Sequence, residues 1–268
     1  MNRIDKLFSE LKKNHKKAFI VYITAGDPGL RETEKLIVEL EKGGVDLIEL
    51  GIPFSDPLAD GPTIQKASQR ALSRGVNIKS ILRMARSARR KVKTPLVFMT
   101  YYNPVYHYGL KKFVKDSKAA GIDGVIVPDL PYEEAGELIA ASKKQGFATI
   151  FLAAPTSTKK RVKGIARRST GFIYYVSLMG VTGARPQLPK DIVGHVRGLK
   201  RITKKPVCVG FGVSTPQQAR KISHLADGVI VGSAVIKVIE RNIGKRDLHK
   251  RVARFAKSLA KAVHGERR

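Results

Sequence analysis

Two carboxylates are the first residues in this sequence whose type and spacing could do chemistry. Glu49 ends the apolar run Val45-Asp46-Leu47-Ile48-Glu49-Leu50, and Asp60 lies in the loop that follows, from Gly51 to Pro62. A carboxyl at the end of an apolar strand loses hydration, which disfavours its charged form and raises its pKa. Such a group can give and take a proton near neutral pH. The plainer alternative is a glutamate that meets solvent or pairs with a lysine, and position alone does not choose between the two. Asp60 also has a commoner use. With Pro62 near the start of a helix through Ile64, Ala67 and Ala71, it can be that helix's N-cap. The prolines Pro53, Pro57 and Pro62 restrict the loop's path, and Asp56 is its second acid.

Two glycine-bearing segments suggest where an anion could bind. Gly210-Phe211-Gly212-Val213-Ser214 and Val231-Gly232-Ser233-Ala234 each follow an apolar run. Glycine lets backbone N–H groups approach an anion closely, and a helix starting at Ser233 would add its positive end. Gly180 and Gly183 bracket a segment of the kind that closes over a substrate, although an ordinary surface loop reads the same way. The six histidines, His15, His107, His195, His224, His249 and His264, show no metal-ligand spacing, and solvent exposure is their expected state. Cys208 sits mid-strand, where packing is its expected role. Ser233 has no base nearby in sequence to activate it.

The elements that must position these groups alternate from end to end. Apolar runs begin near Phe19, Val45, Leu96, Gly124, Ala148, Phe172, Val207 and Gly228, with amphipathic stretches between them. This pattern predicts parallel strands with crossover helices, and eight such strands close most simply into a (β/α)8 barrel. An open doubly wound sheet is the alternative, but no strand runs into a GxGxxG turn. Active sites of such barrels lie at the carboxyl ends of the strands, with phosphate held after the seventh and eighth. Glu49, Asp60 and the last two glycine turns all fall there.

Helix boundaries are readable. Asn77 can cap a helix carrying Ile78, Ile81, Leu82 and Ala85, and Thr215-Pro216-Gln217-Gln218 reads as a capping box. Gly43, Gly44, Gly75, Gly121 and Gly146 mark helix ends. An extra helix with Ile4, Leu7, Phe8 and Leu11 on one face precedes the first strand and would cover the barrel's bottom. A last helix carries Val252, Phe255, Ala256, Leu259 and Val263. Residues 1–268 read as one barrel domain.

Composition bounds the setting. Lys and Arg number 51 against 22 Asp and Glu, for a formal charge of +29. That excess favours anionic ligands or acidic partners. The basic clusters fall mostly on expected helices and carry no interleaved aromatics for stacking bases, so a solvated basic face is favoured over nucleic-acid binding. One cysteine excludes an internal disulfide framework and fits a reducing cytoplasm. No apolar run approaches the ~18 residues of a membrane span, and the charged N-terminal stretch lacks the apolar core of a signal peptide.

The segment Leu47-Ile48-Glu49-Leu50-Gly51-Ile52-Pro53-Phe54-Ser55-Asp56-Pro57-Leu58-Ala59-Asp60-Gly61-Pro62-Thr63-Ile64-Gln65 resembles the signature of tryptophan synthase α subunits. The likeness continues through Tyr22-Ile23-Thr24-Ala25-Gly26-Asp27-Pro28, Tyr101-Tyr102-Asn103-Pro104, Val127-Pro128-Asp129-Leu130-Pro131, Gly180-Val181-Thr182-Gly183 and Gly210-Phe211-Gly212. The resemblance implies retro-aldol cleavage of indole-3-glycerol phosphate to indole and glyceraldehyde 3-phosphate. It implies Glu49 as the proton shuttle and Asp60 as the acceptor of the indole N–H. Tyr22, Met99, Tyr174, Thr182 and Phe211 would contact the substrate, and Gly183, Gly212, Gly232 and Ser233 would hold its phosphate. Asp56, Asn103 and Pro131 would face a pyridoxal phosphate-dependent β subunit in an α2β2 tetramer. The chain itself would need neither cofactor nor metal. Two departures stand out: Tyr22 occupies a position where well-known members have Phe, and the positive charge is far above that expected of the family. Another phosphosugar lyase or isomerase on the same barrel, and a non-catalytic activating subunit, are the competing readings.

Overall fold

A computed structural model of the protein describes residues 2–176, 191–210 and 212–265. Its strands are β1 (Ala18–Thr24), β2 (Leu47–Gly51), β3 (Leu96–Met99), β4 (Gly124–Ile126), β5 (Ala148–Ile150), β6 (Leu152–Ala153), β7 (Ile173–Val176), β8 (Val207–Gly210) and β9 (Gly228–Val231). Around them lie α1 (Arg3–Lys13), α2 (Leu30–Lys42), α3 (Pro62–Leu72), α4 (Ile78–Arg89), α5 (Tyr102–Tyr108), α6 (Leu110–Ala119), α7 (Gly136–Gln145), α8 (Lys159–Arg168), α9 (Ile192–Ile202), α10 (Pro216–Ser223), α11 (Ser233–Glu240) and α12 (Leu248–His264).

Every pairing is parallel, in the order β5-β4-β3-β2-β1-β9-β8-β7-β6. The sequence predicts eight runs and the described residues form nine strands, because the run from Ala148 to Ala153 is interrupted at Phe151. Its first piece pairs with β4 and its second with β7. One run therefore joins both ends of the order, and among the described residues the sheet forms the expected (β/α)8 barrel, nearly closed.

Alternation divides the strand residues between two apolar regions. Ala18, Ile20, Leu47, Val97, Ile126, Ile150, Tyr174, Cys208 and Ile230 face the barrel interior. Phe19, Val21, Ile48, Leu50, Phe98, Val125, Ile173, Val209 and Val229 face the surrounding helices. Ile4, Phe8 and Leu11 of α1 join the interior group, so this helix covers the amino end of the barrel as the sequence predicts. Each such side chain contributes about 1.5–3 kcal/mol by leaving water.

Three carboxylates at this amino end are satisfied. Asp46 accepts the Phe19 N–H at 2.7 Å and lies 2.8 Å from His264 Nε2. Asp123, buried, accepts the Leu96 N–H at 3.1 Å and pairs with Arg3 at 2.8 Å and Arg89 at 3.4 Å. Asp227 accepts the Val207 N–H at 3.0 Å and pairs with Lys200 at 2.7 Å. In each case a carboxylate at the foot of one strand takes the free N–H of its neighbour. The pairing of His264 corrects the expectation of exposure for that histidine, because α12 folds back across the barrel and delivers it to Asp46. His249 is likewise half-buried, whereas His15, His107, His195 and His224 are exposed.

The predicted caps are present. Asn77 and Ser80, and Thr215 and Gln218, form capping boxes, with Pro216 at the first position of its helix. Gly43 follows α2 as its C-cap, and Gly146 ends α7 at φ 59°. Among the described residues no helix is long and apolar enough to cross a membrane.

Candidate active site

Glu49 shares the inward parity of Leu47 and stands beside Tyr22 and Val97 in the sheet register. It is fully buried, and neither carboxyl oxygen has a hydrogen-bond partner among the described residues. Burial alone pushes its pKa up to about 8. The sequence predicts this shift and its cause. A buried carboxylate is normally paired; one that is not is protonated at neutral pH and available to react.

Asp60 is also buried, at 8% exposure. Its pKa is pushed up to about 6 by burial, against the lowering effect of a hydrogen bond from the Tyr101 hydroxyl. The cap alternative is overturned: the N-cap of α3 is Gly61, which supplies no side-chain bond, and Pro62 is the first helical residue. The Asp60 side chain is instead committed to Tyr101. That hydroxyl also accepts the Ala59 N–H at 2.9 Å, and the Tyr101 ring lies 5.5 Å from that of Phe54. The Gln65 amide reaches back to the Asp60 carbonyl at 2.8 Å. A proline-stiffened loop is thus pinned at its carboxylate by the residue that follows the next strand. Asp56, the loop's other acid, is exposed.

Tyr22 and Tyr174 point into the barrel above its apolar filling. Both are buried, and both hydroxyls titrate well above their usual range, first because of burial. For Tyr174 the charges of Glu49 and Asp60 add to this, and for Tyr22 chiefly that of Asp60. The two carboxyls and the two hydroxyls therefore lie within electrostatic reach of one another. Two glycines make room for the rings. A β-carbon at Gly51 would overlap the Tyr22 hydroxyl, and one at Gly210 would lie 2.6 Å from the Tyr174 hydroxyl. Tyr22 Oη sits 3.4 Å from Thr24 Oγ1, so the extra hydroxyl at this position has a partner. Met99 ends β3 half-buried, between the interior and the helix layer.

The anion features fall after β8 and β9 as the sequence predicts. Ser233, buried, is the first residue of α11, and Gly232 precedes it. Gly212 adopts φ 47°, a conformation that favours glycine. The Gln218 carboxamide accepts the Ser214 N–H at 2.8 Å and so fastens the far end of that loop. Thr182, Gly183 and Phe211 lie outside the described residues. Asp56 and Asn103 are exposed and Pro131 half-buried, in the segments after β2, β3 and β4.

Sequence reasoning missed two features. Tyr101 received no role there, although a tyrosine directly after a strand, in a segment already singled out, was a usable signal. Arg70 had none. It grips buried Asp27 through two bonds of 2.8 Å and reaches Glu240 at 2.9 Å, tying the loop after β1 to α3 and α11. Among the described residues no group of three or more His, Cys, Asp or Glu could hold a metal ion.

Comparison with known proteins is consistent along the whole chain. The family model described as tryptophan synthase alpha chain matches residues 8–264. The tryptophan synthase alpha chain of Geotalea daltonii is 49% identical over 263 residues, covering 98% of this chain and 99% of its own. That of Caldanaerobacter subterraneus is 48% identical, covering 98% and 100%. Among solved structures, tryptophan synthase subunit alpha of Legionella pneumophila superposes with a TM-score of 0.93 at 39% identity, covering 99% of both chains. A tryptophan synthase structure from Mycobacterium tuberculosis reaches 0.91 at 37% identity, covering 98% of each.

Proposed function

This chain belongs to the tryptophan synthase alpha chain family, enzymes of tryptophan biosynthesis that cleave indole-3-glycerol phosphate to indole and glyceraldehyde 3-phosphate, and we propose that Glu49 and Asp60 carry that cleavage here. The observation that bears the proposal is the division between the two acids. Glu49 is buried without a partner and titrates at about 8; Asp60 is bonded to Tyr101 and titrates at about 6. At neutral pH the first is an acid and the second a carboxylate, a separation that assigns distinct roles.

Protonated Glu49 donates to C3 of the indole ring. Positive charge grows on the ring, and ionised Asp60 accepts the indole N–H and stabilises that charge. The glycerol hydroxyl next to C3 then loses its proton to the Glu49 carboxylate. The C–C bond breaks with its electrons passing to the ring, which yields indole and the aldehyde and returns Glu49 to its acid form. Tyr22, Met99, Tyr174, Thr182 and Phe211 contact the substrate. Gly183, Gly212, Gly232 and Ser233 hold the phosphate, with the start of α11 supplying a positive end.

An alpha chain implies a β partner. We place the contact on the segments bearing Asp56, Asn103 and Pro131, within an α2β2 tetramer. Leu58, 91% exposed, and Tyr106, 67% exposed, stand in the segments carrying Asp56 and Asn103 and supply apolar surface for such a contact. Pyridoxal phosphate belongs to that partner, which receives the indole. The chain acts as one barrel domain in the cytoplasm, where its lone buried Cys208 stays reduced.

The test is indole release from indole-3-glycerol phosphate by the purified chain, beside Glu49→Gln and Asp60→Asn, with and without a β subunit. Slow release alone, faster release with β and loss of most activity in both variants are expected. No release by the wild-type chain even with β would exclude the lyase reading and leave an activating subunit or a different phosphosugar enzyme.

A further inference from the structure

We propose that the amino end of the barrel, opposite the active site, carries a second anion site: a lysine-lined cleft that takes a short chain of linked phosphates. The proposal rests on the geometry of that end and is independent of the reaction assigned above. A cleft of about 490 Å³ opens between the turn that follows α1 and the turn that follows α9. It adjoins a second hollow of about 630 Å³, and Thr203, Lys204, Lys205 and Pro206 line both.

The charge balance of the cleft is one-sided. Lys12, Lys16, Lys17, Lys200, Lys204 and Lys205 line it, with Asp227 as its carboxylate. Asp227 is already engaged with Lys200 at 2.7 Å, Lys17 at 3.7 Å and the Val207 N–H. Lys12, Lys16, Lys204 and Lys205 have no ion-pair partner among the described residues. In the adjoining hollow the one acid, Asp5, is turned to the capping box of α1.

Helix ends account for only part of this. Lys12 and Lys200 lie in the last turns of α1 and α9, where a cation offsets the negative end of the helix. Lys16, Lys204 and Lys205 lie beyond those helices, in the connecting turns. Gathering them around a concavity raises the local positive potential, and a bound anion relieves it. The cations come from two separate turns that line one cleft, and a chain of linked phosphates offers charge to both. Phe8 lines the cleft but is almost fully buried, which leaves the exposed His15 imidazole as its accessible aromatic ring, and the concave shape disfavours a nucleic-acid duplex.

Calorimetric titration of the full chain, alone and with a β subunit, tests the proposal. The ligands are tripolyphosphate, ATP and inorganic phosphate. The comparison variant is Lys16→Ala/Lys204→Ala/Lys205→Ala. A control variant, Lys79→Ala/Lys111→Ala/Lys159→Ala, removes three exposed lysines from the first turns of α4, α6 and α8. One equivalent of tripolyphosphate should bind more tightly than inorganic phosphate and weaken as salt rises. ATP binding as tightly as tripolyphosphate would identify the phosphate chain as what is read; tighter ATP binding would add the nucleoside to it. The cleft variant should bind roughly tenfold more weakly or worse, with indole release and thermal midpoint unchanged, and the control should bind like wild type. Equal losses in both variants, unchanged affinity in the cleft variant, or a DNA duplex that outcompetes tripolyphosphate for the same lysines would overturn the site.

Discussion

The two ends of the barrel treat their carboxylates in opposite ways. At the amino end Asp46, Asp123 and Asp227 each accept a backbone N–H from a neighbouring strand and meet a cation or a histidine. At the carboxyl end Glu49 is as fully buried as Asp123 but has no partner, and Asp60 has a single tyrosine hydroxyl. The first arrangement satisfies each carboxylate, which serves stability. The second leaves the cost of desolvation in place and stores it as a displaced pKa, which serves proton transfer. One fold, with the same residue types, separates the two uses by the direction in which the strands run.

The contrast can be broken from either end. Glu49→Gln should lower the rate of indole formation by roughly 10²–10⁴-fold, the usual contribution of a positioned acid or base, while the fold survives. At the other end, Asp123→Ala should cost about 3–5 kcal/mol of stability, because it removes the counter-charge of Arg89 and Arg3 and leaves the Leu96 N–H unpaired, and should leave the kinetic constants of the surviving enzyme close to wild type. Chemical denaturation beside steady-state kinetics reads both. If Asp123→Ala abolished turnover at full stability, the separation of uses would fail.

Stability against pH sharpens the comparison. An unfolded chain releases the Glu49 proton near the ordinary value of 4.5, whereas the folded protein keeps it up to about 8. The stability this group confers is thus complete below 4.5 and declines as pH rises towards 8, by at most about 1.4 kcal/mol per pH unit. Glu49→Gln lacks that decline, so the variant should be more stable than wild type near pH 8. Denaturation midpoints of the two proteins at pH 5 and pH 8 give the answer; parallel curves would deny the shift.

Smaller effects should follow at the supporting residues. Activity should need protonated Glu49 and ionised Asp60, and so show a bell between about 6 and about 8. Tyr101→Phe removes the bond that lowers the Asp60 pKa, so its acid limb should move to higher pH while the basic limb stays. His264→Ala should be the mildest change. It should cost about 1–2 kcal/mol for one bond to a carboxylate, with no movement of either limb.

Much of this was legible in the sequence, for identifiable reasons. Strand positions show as apolar runs because both faces of a parallel barrel strand are covered. Glu49 stands out as a carboxyl at the carboxyl end of such a run, although position alone leaves a solvent-facing or lysine-paired glutamate open. Asp60 was ambiguous, since an aspartate before a proline-led helix serves equally as a cap, and the hydroxyl that decides the matter belongs to Tyr101, after the next strand. The Asp46–His264 and Asp27–Arg70 pairs were invisible because each joins residues far apart in the chain. The break at Phe151 was missed because composition stays apolar across it while the pairing partner changes from β4 to β7.

The protonation of Glu49 itself is the most direct test. An infrared difference spectrum between wild type and Glu49→Gln, followed across pH, isolates the carbonyl band of that one protonated carboxyl. The band should be present at pH 6 and vanish with a midpoint near 8. A Glu49 already ionised at pH 6 would contradict the claim that its isolation in the barrel makes it the proton shuttle.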